Sequence, residues 1–419
     1  MKWKFSEKAE NLTGSRIREL LKLVEKPDMI SFGGGMPSPE TFPIDYITER
    51  LPEIMKKYGT KMLQYGKTSG EDVFKEAIIK RMKKRNIICE KENIIVSSGS
   101  QQLLNISGIA LLNEGDKIIT ETPTYLGELQ ALKLIGPRYE TVQIDNDGMI
   151  VEQLEEKMKK YNKKKMPKSI YVIPTFQNPS GVTMSKDRRK HLLEISENYQ
   201  IPIIEDDPYS ELRFEGDEIP PIKSMDKNGN VLYLSTVSKI LAPGFRLGWA
   251  IGDKELIEKL ILIKQGTDLC TNVFAQYIAA DYLISDEFEK NLNKTRKLYK
   301  KKRDAMIEAL EKYMPEEVKY NHPTGGMFIW LKVPDYINTE KMLKKAINNN
   351  IAYVDSKGFD PLGKNTHGMR LNFSYPSLED IETGVERLGT IIQEEIDEKR
   401  DKIIRSLRKF TNPLLKRTD

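Results

Sequence analysis

Residues Ser169 to Glu205 read SIYVIPTFQNPSGVTMSKDRRKHLLEISENYQIPIIE. The opening SIYVIP (Ser169–Pro174) is apolar on both faces, as expected of a strand buried on both sides of a sheet. Lys186–Tyr199 has helical spacing, with Thr183 and Ser185 ahead of it as candidate N-caps. Ile201–Glu205 (IPIIE) reads as a second buried strand. A helix between two such strands is the crossover unit of a parallel sheet. Further out, Asn93–Val96, Lys117–Thr120, Val231–Ser235 and Leu247–Ile251 repeat the strand pattern, and Gln102–Leu112 the helical one. The middle of the chain is therefore expected to be α/β, with a mostly parallel sheet flanked by helices.

The two ends read differently. Ser15–Val24 is one amphipathic segment, with Ile17, Leu20, Leu21 and Val24 on one face. Beyond residue 320 come a strand (Met327–Leu331), a helix (Glu340–Asn348), two strands (Ile351–Val354, Met369–Phe373) and a helix (Leu378–Glu395). This order predicts a smaller α+β domain built from both chain ends. Residues 1–45 would pack with 316–419, around a large domain at 46–315. The basic runs Lys157–Lys168 and Lys399–Lys409 read as a solvated helix end and a charged tail.

Composition narrows the function. The 419 residues carry 67 Lys and Arg against 62 Asp and Glu, a net charge of +5 that makes no case for nucleic acid. Two cysteines, Cys89 and Cys270, exclude a disulfide framework, and three histidines argue against a His-rich metal site. No apolar run approaches the ~18 residues of a membrane span. The start, MKWKFSEKAEN, lacks the apolar core of a signal peptide. A cytoplasmic protein with no membrane partner is expected.

Four short stretches carry chemistry. In Ser235-Thr-Val-Ser-Lys239-Ile-Leu-Ala-Pro-Gly-Phe-Arg246, an amine follows a buried strand and can form a Schiff base with an aldehyde. Thr236, Ser238 and Arg246 beside it suit a phosphate. In Ile203-Ile-Glu-Asp206-Asp-Pro-Tyr209, a carboxylate ends an apolar strand, where α/β sheets bind ligands. Asp206 can pair with a protonated ring nitrogen and Tyr209 can donate to an oxyanion, with Asp207 as the decoy. Asn178, in Phe176-Gln-Asn-Pro-Ser-Gly181, offers a neutral amide before a turn. Ser97-Ser-Gly99-Ser100-Gln101-Gln102 joins a strand to a helix whose first N–H groups form an anion site. Taken singly, each also reads as an ordinary turn.

Taken together, they resemble the fold-type I pyridoxal phosphate (PLP) aminotransferases of class I/II. The shared order is Gly-Ser-Gln-Gln, Thr-Pro-Thr-Tyr, Asn-Pro-Ser-Gly, Asp-Asp-Pro-Tyr, Ser-Lys…Pro-Gly…Arg and a late Arg370 in Met-Arg-Leu-Asn. SRIREL, ISFGGGMPSPETFP, LQYG, KQGTDLC and PTGGMFIW are similar to the 2-aminoadipate/kynurenine-type subgroup. The resemblance implies Lys239 as the lysine that holds PLP, Asp206 on the ring nitrogen, and Asn178 and Tyr209 on the ring oxygen. It implies Tyr125 stacked on the ring, and Gly99, Ser100, Gln101, Thr236, Ser238 and Arg246 around the phosphate. Tyr65 would reach the phosphate of a partner chain across a homodimer. Arg370 would clamp the substrate carboxylate, Gly35 would let the N-terminal segment come close, and Arg18 would meet the distal carboxylate of an acidic substrate. The substrates implied are an amino acid and a 2-oxo acid, with 2-oxoglutarate as acceptor.

One loop departs from the pattern. Relatives carry Val-Pro-Gly where this chain has Val354-Asp-Ser-Lys-Gly358. Another PLP reaction on the same scaffold, such as β-elimination or decarboxylation, is the rival within the enzyme class. A regulator with a DNA-binding helix-turn-helix is the rival outside it, and the roughly thirty residues before Ile30 are too few for that module.

Overall fold

A computed structural model describes residues 3–10, 12, 14, 28–162 and 165–411. Its strands in chain order are β1 (Ile30–Ser31), β2 (Ile94–Ser97), β3 (Lys117–Thr122), β4 (Arg138–Asp145), β5 (Gly148–Met149), β6 (Ser169–Val172) and β7 (Ile203–Asp206). Then follow β8 (Val231–Thr236), β9 (Gly248–Ile251), β10 (Lys319–Tyr320), β11 (Phe328–Lys332), β12 (Ile351–Ala352), β13 (Val354–Asp355) and β14 (Gly368–Asn372).

The large sheet has the order β2-β9-β8-β7-β6-β3-β4-β5. Strands β8, β7, β6, β3 and β4 run parallel, whereas β9 lies antiparallel between β2 and β8. Every residue of β2, β6, β7, β8 and β9 is buried, which is why these strands are legible as unbroken apolar runs. Strand β4 escapes that reading. Its sequence RYETVQID alternates, and only Val142 is buried.

The helix Lys186–Tyr199 keeps its expected bounds. Ser185 Oγ accepts from the Arg188 N–H, and Gln200 closes the helix in the left-handed conformation at φ 56°. Thr183 is not a cap; its hydroxyl accepts from the Phe176 N–H at 3.2 Å.

A second sheet, β10-β11-β14-β13, is antiparallel throughout. The expected strand Ile351–Val354 is two short strands in different sheets, because β12 pairs in parallel with β1 while β13 joins β14. The last helix runs Leu378–Thr411, so the basic stretch from Lys399 continues a helix rather than forming a loose tail. Residues Ser15–Val24, Arg18 among them, lie outside the described residues. Among the described residues no helix is long and apolar enough to cross a membrane.

Candidate active site

The C-terminal ends of β3, β6, β7 and β8 converge on a cavity of about 600 Å³, where an α/β sheet holds its ligands. Gly35, Ser100, Gln101, Tyr125, Asn178, Asp206, Tyr209, Thr236, Ser238, Lys239, Arg246 and Arg370 all line it. These side chains come from segments hundreds of residues apart.

Lys239 Nζ donates to the Gly35 carbonyl at 2.7 Å. Burial, with Arg370 and Arg246 nearby, lowers its amine to about 8. At pH 7 about one lysine in ten is then neutral, against fewer than about one in a thousand for an ordinary lysine.

Asp206 and Asp207 separate cleanly. A strand sends successive side chains to opposite faces. Asp206 Oδ2 accepts from Tyr171 Oη at 2.9 Å, while its Oδ1 is buried without a partner. Burial raises the Asp206 carboxyl to about 7; the Tyr171 hydrogen bond opposes this and the charge of Asp207 adds to it. Asp207 pairs with Arg85 at 2.8 Å and accepts from Tyr233 Oη at 3.1 Å. Burial would raise that carboxyl too, but the Arg85 guanidinium holds it below its usual range. Asp207 is structural, as its role of decoy anticipates.

Asn178 bridges two neighbours. Its Nδ2 donates to Tyr209 Oη at 3.3 Å, and its Oδ1 accepts from Arg370 Nη1 at 2.8 Å. Arg370 Nη2 donates to the Gly33 carbonyl at 2.7 Å, and its Nε is buried without a partner. The guanidinium lies 4.2 Å from the Phe328 ring and 5.2 Å from that of Phe359. Burial lowers it to about 10.

At the other end of the cavity, Gly99 holds φ 84°, and a Cβ there would sit 2.6 Å from Arg246 Nη2. A glycine is what lets the turn and the guanidinium meet. Arg246 Nη2 donates to the Ser98 carbonyl at 3.2 Å. Thr236 and Ser238 are tied together at 2.9 Å through their hydroxyls. Gln101 spends its amide on the Gly127 carbonyl at 2.7 Å, so its side chain braces the helix beside the cavity. Tyr65 does not line the cavity of its own chain and is 80% exposed.

Sequence reading missed Tyr171, Phe328 and Phe359. Tyr171 sits in a run that reads as a buried apolar strand, yet it pairs with Ile204 of β7, two residues before Asp206 on the same face, and its hydroxyl reaches that carboxylate. Phe359 ends the divergent loop: Asp355 caps the Ser356–Phe359 turn by accepting from the Lys357 N–H at 3.1 Å. The Phe359 carbonyl then accepts from the Thr124 N–H at 2.8 Å, next to Tyr125. The loop that departs from Val-Pro-Gly thus touches the site from behind its lining, through Phe359 beside Arg370 and through Thr124 next to Tyr125.

The sequence profile of the family Aminotransferase class I and II matches residues 27–388. The chain belongs to this family. The aromatic-amino-acid aminotransferase 1 of Thermococcus litoralis is 46% identical over 94% of each chain. The 2-aminoadipate transaminase of Thermus thermophilus is 34% identical over 93% of this chain and 96% of its own. Among solved structures, the kynurenine aminotransferase of Pyrococcus horikoshii, in complex with PMP, superposes with a TM-score of 0.90 at 48% identity, covering 93% of this chain and 97% of that one. The aminotransferase is a PLP enzyme, and its cavity fits that group. An unpartnered carboxylate oxygen, a depressed lysine amine and a glycine–arginine cradle suit respectively a cationic ring nitrogen, an aldehyde and a phosphate.

Proposed function

We propose that this aminotransferase moves the amino group of aromatic, aliphatic or 2-aminoadipate donors to 2-oxoglutarate, using Lys239, Asp206 and Tyr209 as its catalytic residues. The observation that carries the reading is that Lys239 and Asp206 line one cavity. When bound, PLP supplies an electron sink for charge developing at the substrate Cα. Lys239 would hold the aldehyde carbon and, with its amine free, would take the proton from the substrate Cα and deliver it to the former aldehyde carbon; its lowered amine suits both transfers near neutral pH. Asp206 keeps the ring nitrogen protonated. Asn178 and Tyr209 donate to the ring oxygen, and Tyr125 covers the ring. Gly99, Ser100, Thr236, Ser238 and Arg246 hold the phosphate, with Gln101 contributing its backbone N–H at the helix start while its side chain braces Gly127. Arg370 takes the substrate carboxylate through a charge-assisted pair, with Asn178 fixing its plane and Gly35 leaving room. Arg18 selects acidic donors.

The same proposal places residues 1–45 with a small domain at 316–419 and the cofactor in 46–315. The pairing of β1 with β12 supports this division. A panel of amino donors with 2-oxoglutarate tests the function: beyond one equivalent per site, 2-oxo acid must form only when acceptor is present. Continuous release of 2-oxo acid or amine without acceptor would assign a lyase or decarboxylase instead.

A cytoplasmic homodimer with Tyr65 contributed across the interface completes the proposal. The exposure of Tyr65, with Leu63 also 73% exposed beside it, supports a partner there. Lys239→Ala chains and Tyr65→Ala chains are each expected to be impaired, and mixing them should restore activity. A hybrid dimer has one site with both side chains intact. No recovery after proven subunit exchange counts against the shared site.

A further inference from the structure

Glu128 is fully buried, and neither of its carboxyl oxygens has a partner. It lies on the short helix Leu126–Leu132, clamped to the helix Ser100–Leu111 by Gln101 at Gly127 and by Asn105 at Ala131. The Thr-Pro-Thr-Tyr motif quoted above ends before it, at Tyr125, and no other quoted motif includes it. Two unpartnered oxygens make a costly burial, and natural proteins rarely leave such groups unmet.

Its surroundings give the cost a use. In the sheet, Tyr139 pairs with Ile118, Ile118 with Ser169, and Tyr171 with Ile204. By the alternation of strands, Tyr139, Ser169, Tyr171 and Asp206 share one face. The Glu128 carboxyl interacts electrostatically with Asp206, Tyr171 and Tyr139, the titratable groups facing it from β7, β6 and β4. Asp206 Oδ1 and Tyr139 Oη are likewise buried and unpartnered. Burial, then the charge of Asp206, raises the Glu128 acid well above its ordinary range. Two carboxyls so placed cannot both ionise cheaply, so one negative charge is shared between them. With a protonated ring nitrogen against Asp206, that charge belongs to Asp206.

We propose that Glu128 is a positioning residue: a neutral acid that donates its proton, through an ordered water, to a second lone pair of Asp206 Oδ1, the oxygen that also meets the ring nitrogen, and so sets how firmly Asp206 stays ionised. A bridging water suits this spot, because buried waters sit between polar groups that lack protein partners. The proposal rests on the role of Asp206 given above.

The test uses the holoenzyme. At pH 7 its infrared spectrum should contain a protonated-carboxyl carbonyl band that Glu128→Gln removes. The visible absorbance of the lysine-bound cofactor should titrate alike in wild type and Glu128→Gln, which keeps a neutral donor. In Glu128→Leu, which cannot donate, its midpoint should move by roughly 0.4–1 pH unit, the worth of one hydrogen bond. Absence of that band from the wild-type minus Glu128→Gln difference spectrum, in which the buried acid Glu121 cancels, overturns the neutral acid. A wild-type titration in Glu128→Leu, even with altered melting temperature, reduces the residue to packing and overturns the coupling. The infrared arm needs no cofactor, so failure of the cofactor reading would show separately, as a wild-type protein with no visible band to titrate.

Discussion

Lys239→Ala is expected to lower turnover by about 10⁴-fold or more and to remove the yellow absorbance of the lysine-bound cofactor. The magnitude follows from losing both the covalent anchor and the proton carrier, of which general base catalysis alone is worth about 10²–10⁴-fold. The fold should be spared, because Lys239 makes one hydrogen bond, to the Gly35 carbonyl. Its alanine variant also relieves a buried amine that sits near Arg370 and Arg246. Melting temperature at or above that of wild type, with activity gone, is the expected pair of measurements. Wild-type turnover in this variant would overturn the assignment of the whole cavity.

The second large effect separates two neighbours. Asp206→Ala should reduce kcat by roughly 10²–10³-fold, the usual consequence of removing one preorganised electrostatic partner. Stability should fall by about 1–3 kcal/mol, the cost of leaving the Tyr171 hydroxyl without its acceptor, since the other oxygen has no partner to lose. Asp207→Ala should do the reverse. It leaves Arg85 buried and uncompensated, a loss of about 3–5 kcal/mol, while the absorbance of properly folded enzyme stays normal. Denaturant melts and kinetics on both variants check this. Equal loss of activity from both, at equal stability, would mean that the alternation along β7 does not separate their roles.

Lys239, Asp206, Asn178 and Gly99 were legible because each stands at the end of an apolar run, where sequence order and sheet geometry coincide. Asp207 could be set aside only as a neighbour of opposite parity, and its partner Arg85 was invisible, being 122 residues earlier on another element. Arg370 was found through its motif, but nothing local announces that Phe328 and Phe359 enclose it. Such contacts are made by folding and have no period. Strand β4 was missed for a related reason: its burial is set by a place near the sheet edge, which composition does not record. The large sheet was readable because its central strands are wet on neither face. The split between β12 and β13 was not, since one apolar stretch serves two sheets.

The adjacency of Asp206 and Asp207 makes this enzyme intolerant of insertion. Adding one residue to β7 ahead of Asp206 would change the face of every side chain that follows it. A carboxylate would still reach the cavity, so a motif search would find nothing amiss. It would be the wrong carboxylate, parted from Arg85, while Asp206 would be driven towards a guanidinium already shaped around another partner. Catalysis and folding would fail together from a change that leaves every functional side chain in the chain. Length, here, is as much a determinant of chemistry as residue identity.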